Sequence, residues 1–189
     1  VESVAAASEK TIVVVNAGSP VEMPWFDKVD AVLISWFPGQ QMGNAIADVI
    51  YGVTEPGGRL PTTWPATIAD VPVLNTDPVN DQLDYSEGVY IGYRGWHKSG
   101  KAPRLPFGFG LGYTTFTSNL DSANEKSARV SVKNTGSKSG SHVIQIYAAP
   151  QGSPLADRKL IGVAKVKLAP GDSKSVEITY PNHVFDEWN

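Results

Sequence analysis

The sequence has no cysteine. That excludes disulfides and thiolate-bound metal, and it leaves the compartment open. Histidine is scarce. His97, His142 and His183 stand far apart, with no HxH, HExxH or DxDxDG pattern, so no metal site is expected. Apolar runs are short. The longest, residues 11–15 and 31–37, are strand-sized and give no membrane span. There is no basic block. Lys and Arg number 16 against 19 Asp and Glu, a net charge of −3, which gives no electrostatic footprint for nucleic acid. A GxSxG nucleophile elbow is missing: Gly18-Ser19-Pro20 follows a strand, but Pro20 spoils the strand–turn–helix geometry and leaves a plain turn.

The residues present fall into two halves. Residues 11–15 (TIVVV) are a continuous β-branched run, the pattern of a strand buried on both faces of a parallel sheet. A turn cluster, NAGSP, follows. A short helix is expected around Trp25 and Phe26. Residues 31–36 (AVLISW) read as a second buried strand, punctuated by Pro38-Gly39. Met42, Ala45, Ile46, Val49 and Ile50 then share one helical face, and Gly52 suits the stop. This alternation is α/β. Residues 55–84 are rich in Pro, Gly, Asn and Asp without a period; so long an irregular excursion is functional or wraps another domain. Residues 85–96 are compact and aromatic, with a buried Glu87–Arg94 pair expected, and 97–104 form a polar loop.

After residue 116 the period changes to two, with strands expected over 128–133, 143–147, 160–168 and 175–180. About five or six strands are visible, where an immunoglobulin or fibronectin III-like sandwich has about seven. The division is thus 1–116, an α/β part, and 117–189, an incomplete β-sandwich. Residues 1–8 read as the last turns of a helix, and the chain stops just after Phe185 and Trp188, so both ends are expected to be cut.

The dense glycines of 105–116 (LPFGFGLGYTTF) lack the strand–helix setting of a dinucleotide loop and read as close backbone packing at a joint between the two halves. Residues 39–43, with Gln40 and Gln41, open a helix where an anion could sit, but a simple turn is the plainer reading. Acid/base chemistry on a sugar needs two carboxylates. Glu22, Asp27, Asp30, Asp48, Glu55, Asp70, Asp77, Asp81, Asp84 and Glu87 are available, and most read as solvated or structural charges. Trp25, Trp36 and Trp64 are candidates for stacking on a sugar, with core or interdomain packing the favoured reading of each. The loops ending strands 11–15 and 31–36 are best placed to reach a ligand.

Several strings, taken together and in order, resemble the C-terminal portion of glycoside hydrolase family 3, the β-glucosidase family. They are AGSPVEMPW (17–25), GQQMGNAIADVIYG (39–52), PGGRLPTTWP (56–65), YSEGVYIGYRGW (85–96), LPFGFGLGYTTF (105–116) and VKNTGSKSGSHVIQIY (132–147). The resemblance implies a parent enzyme with a barrel, an α/β sandwich whose later part is 1–116, and a fibronectin III-like domain over 117–189. It implies retaining, exo-acting cleavage of β-glycosides with an Asp nucleophile and a Glu acid/base, without a cofactor. Both carboxylates would lie upstream of Val1, so no catalytic residue is assigned here, substrate-binding residues are left open, and the isolated chain is expected to be inactive. Its partners would be the barrel, the first part of the α/β domain and the β-glycoside. Glu22 and Glu87 match recurrent positions without a proton-transfer role. Gln41 departs from the family's common Glu. Many members are secreted or periplasmic. The alternative is a non-catalytic carbohydrate-binding or spacer module.

Overall fold

The computed structural model describes residues 1–74 and 76–186; Trp188 and Asn189, invoked above, lie outside the described residues. The chain is mixed α/β first and mostly β afterwards. It divides into two compact units, one of Val1–Thr54 with Pro61–Phe107, the other of Glu55–Leu60 with Gly108–Asn189.

In the first unit α1 spans Glu2–Ala7, β1 Ile12–Val15, β2 Ala31–Ile34, α2 Met42–Ile50 and α3 Gly92–Ser99, with a 3₁₀ turn over Phe26–Lys28. β1 and β2 pair in parallel, from Ile12 opposite Ala31 to Val15 opposite Ile34. Neither strand holds a fully buried residue, and neither does α2. The expectation of strands buried on both faces is therefore corrected: two strands and one helical face are too little surface to enclose one another. The unit's buried apolar residues include Met23, Trp64, Trp96 and Leu105. Trp64 and Leu105 exchange backbone hydrogen bonds of 2.8 and 3.2 Å. α3 was not foreseen. Its two glycines depress helix propensity, and only Gly100, at φ +68° as a left-handed stop, signals it.

In the second unit β3 spans Phe116–Ala123, β4 Ser127–Asn134, β5 Gly140–Ala148, β6 Lys159–Leu168 and β7 Ser173–Thr179. Two antiparallel sheets form, β3-β4-β7 and β5-β6. Both feed one core, in which Val130, Val132 and Ile178 meet Ile144, Val166 and Leu168. β4 shows the alternation its sequence announces, with Ala128, Val130 and Val132 buried between more exposed neighbours. β3 (FTSNLDSA) is exposed from Thr117 on, and so carries no apolar signal; its ladder to β4 defines it. A bulge at Asp121 interrupts this edge strand, a feature that discourages pairing with another chain.

Asn134, fully buried at the end of β4, anchors the turn that follows. Its Nδ2 donates to Lys138 O (2.8 Å) and Leu168 O (3.1 Å), and its Oδ1 accepts from Thr114 Oγ1 (2.7 Å) and Gly136 N (3.1 Å). The amide's hydrogen-bonding capacity is filled.

The 55–84 excursion is not one loop. Glu55–Leu60 is a strap on the strand-bearing unit, while Pro61 onward belongs to the first. Along the strap Glu55 Oε2 accepts from Ser141 N (2.5 Å), Lys165 Nζ donates to Gly57 O (2.8 Å), and Leu60 exchanges backbone bonds with Phe109 and Gly108 (2.8 Å each). The glycines of LPFGFGLGYTTF do serve close approach. A Cβ on Gly108 would strike the Gln145 amide, one on Gly110 the backbone of Gly58, and one on Gly112 the Glu55 carboxylate. All of these neighbours lie within the strand-bearing unit itself.

Candidate functional site

The loops at the carboxyl ends of β1 and β2 form the candidate site. The ladder closes at Ser35, whose N–H (2.9 Å) and Oγ (3.1 Å) both donate to Val15 O. The next residue, Trp36, has φ +52°. A bulky residue in the left-handed region is strained by about 1–3 kcal/mol and persists only where its surroundings hold it. Here the hold is aromatic: the Trp36 ring lies 5.7 Å from that of Trp64. Trp64 is completely buried and donates from Nε1 to Val21 O at 2.7 Å.

The reversal at Trp36 places Phe37 over the opposite loop. Its ring occupies the space a side chain on Gly18 would need, yet Phe37 is 81% exposed. Asn16, at the end of β1, reaches Met42 Sδ at 3.7 Å at the head of α2. The β1 loop and the 35–42 loop thus face each other. Gln41 sits at the helix entry and accepts from Asn44 Nδ2 at 2.8 Å, an amide contact where the resemblance places a carboxylate.

The sequence candidates separate on this geometry. Trp64 has no surface to offer a ligand; Trp36, half-buried, packs on it, and Trp25 is half-buried beside the 3₁₀ turn. Phe37 was missed. It sits in a run, SWFPG, whose hydrophobicity reads as strand, and only the left-handed Trp36 turns it outward.

Several of the carboxylates are engaged in holding backbone, hydroxyl groups or cations. Glu22 accepts from Ile68 N (2.5 Å), and Asp27 pairs with Arg104 (2.6 Å). Asp30 accepts from Thr11 N (2.8 Å) and Lys10 Nζ (3.1 Å), and the first of these, then the second, lowers its pKa. Asp70 accepts from Thr67 Oγ1 (2.9 Å). Arg94 lies 5.5 Å from the centre of the Tyr90 ring.

The histidines stay apart. His97 stands edge-on to Tyr93, His142 lies against Phe116 at 5.2 Å, and His183 Nδ1 meets Asp186 at 2.7 Å. Burial, and then Arg59, lower the His142 pKa from its ordinary 6.5. Among the described residues no three such side chains cluster to hold a metal ion.

Residues 1–93 match the glycosyl hydrolase family 3 C-terminal domain. A probable β-glucosidase I of Neosartorya fischeri is 40% identical over 197 residues, covering 96% of this chain and 24% of the relative. Among solved structures, DesR, a β-glucosidase from Streptomyces venezuelae in complex with D-glucose, superimposes with a TM-score of 0.88 at 38% identity, over 96% of this chain and 25% of that one. β-Glucosidase 3B from Thermotoga neapolitana in complex with glucose gives 0.87 at 35%, over 100% and 28%. The chain therefore spans about a quarter of the length of the relatives it matches. A family-specific domain match and relatives of one kind along nearly the whole chain agree: the protein belongs to glycoside hydrolase family 3 and corresponds to the C-terminal region of its β-glucosidases.

Proposed function

We propose that this chain acts as the C-terminal segment of a retaining, exo-acting β-glucosidase that removes glycosyl residues from non-reducing ends. Its part is to complete and brace the active site, while the nucleophile and the acid/base belong to the remainder of the enzyme. The observation that carries this reading is the alignment of almost the whole chain with about a quarter of β-glucosidases, together with the match to the family's C-terminal domain. The carboxylates support it, since Glu22, Asp27, Asp30 and Glu55 are committed to backbone or cation contacts. The first unit and its continuation to residue 116 serve as part of an α/β sandwich. Residues 117–189 serve as a fibronectin III-like domain, a role favoured by two antiparallel sheets on one shared core. Its Tyr180 is buried and Tyr147 half-buried, which favours a brace over a sugar-binding face.

The test is hydrolysis of an aryl β-glucoside by the purified chain and by the same chain joined to the barrel and first α/β portion of a family member. No turnover by the chain and clear turnover by the joined protein are expected. Turnover by the chain alone would refute the assignment of the carboxylates.

A further inference from the structure

We propose that the paired loops at the carboxyl ends of β1 and β2 form a subsite for a neutral pyranoside ring, with Phe37 as its stacking platform. This rests on the β-glucosidase reading and adds to it a specificity-determining residue. Three observations converge. Phe37 is exposed at 81% although the tip of its ring sits against Gly18, so the ring is held at one edge and the rest is open. An apolar ring face suits the C–H face of a sugar in the way aromatic surfaces suit apolar partners generally. Strain at Trp36 is what turns the ring outward, and strained backbone held by buried packing is a mark of functional loops.

The chemistry around the ring selects the ligand. Residues 16–21 and 35–47 contain no charged side chain. Glu22, the next charge along the first loop, is turned to Ile68 N. What the two loops carry in sequence is amide and hydroxyl: Asn16, Ser19, Gln40 and Gln41. Such groups bind sugar hydroxyls through neutral donor and acceptor pairs, and with no cation in either loop they favour an uncharged pyranoside over a phosphorylated one.

The experiment is an amide-resolved NMR titration of the full 189-residue chain with cellobiose, and separately with glucose 6-phosphate. Saturable shifts at Gly18, Phe37 and Gly39 are expected with cellobiose and at least about tenfold weaker binding with the phosphate. Phe37→Ala should weaken cellobiose binding about tenfold while the remaining spectrum stays folded; Phe37→Trp should restore it. Shifts absent from these residues, or unchanged in Phe37→Ala, overturn the subsite, as does equal binding of the phosphate. The hydrolysis assay above fails or succeeds separately. Sugar binding here with no turnover by the joined enzyme would sink the enzymatic reading and leave the subsite; turnover with no Phe37 effect would do the reverse.

Discussion

Gly112→Ala should destabilise the strand-bearing unit in the native protein and stabilise it once Glu55 has been removed. Gly112 does not have a positive φ. Its backbone therefore accepts alanine, and the substitution alone gains about 0.4–1 kcal/mol by restricting the unfolded chain. In the folded protein, however, the nearest atoms to a methyl there are all from Glu55. The carboxylate has no room to yield. Gly140 borders it on another side, Oε2 is held at 2.5 Å by Ser141 N, and Oε1 is buried without a hydrogen-bond partner. Displacing it forfeits a hydrogen bond to a charged group, about 1.5–3 kcal/mol. The net cost of Gly112→Ala is then about 1–2 kcal/mol, or a fall of about 4–8 °C per kcal/mol for a unit of this size. Glu55→Ala alone should cost about 1.5–3 kcal/mol by leaving Ser141 N–H unpaired. In that background the methyl meets no carboxylate, and Gly112→Ala should recover about 0.4–1 kcal/mol. Calorimetric unfolding of the four proteins measures the coupling, and hydrogen exchange at the Ser141 amide reports it locally. An effect of the same sign and size in both backgrounds would refute the clamp.

Asn134→Leu should lose about 4 kcal/mol, taking about 1 kcal/mol for each of its hydrogen bonds, and denaturant unfolding measures it. His142 is held neutral in the fold, so its contribution to stability is complete above about pH 6.5 and falls as pH drops through the lowered folded value. Melting temperatures at about pH 7.5 and about pH 5 should therefore fall less steeply for His142→Phe than for the native chain.

The sequence pattern located much of this architecture and missed its joints. Residues 11–15 and 31–36 announced strands because β-branched runs have few other uses, and the alternation at 128–132 reappears as buried and more exposed residues of β4. What escaped was structure whose cause lies far along the chain. α3 contains two glycines and depends on its surroundings. β3 is polar because it is an edge. The strap over Glu55–Leu60 has no period to read, since its order comes from Ser141 and Lys165. At the candidate site the loops were legible from the parallel-strand rule, but the exposure of Phe37 was not, because the burial of Trp64 and the left-handed turn at Trp36 are not written in local composition.

The strap also sets a clock on synthesis. Glu55 leaves the ribosome 86 residues ahead of Ser141, and Gly57 leaves 108 ahead of Lys165. At about 5–20 residues per second the first interval lasts about 4–17 s. Through that time the strap has no sheet to dock on while the first unit's own residues are already emerging around it. The β unit therefore closes late, by recruiting a segment made early. A gene cut between residues 107 and 108 would separate the two pieces of that unit, so any exchange of it between proteins has to carry both.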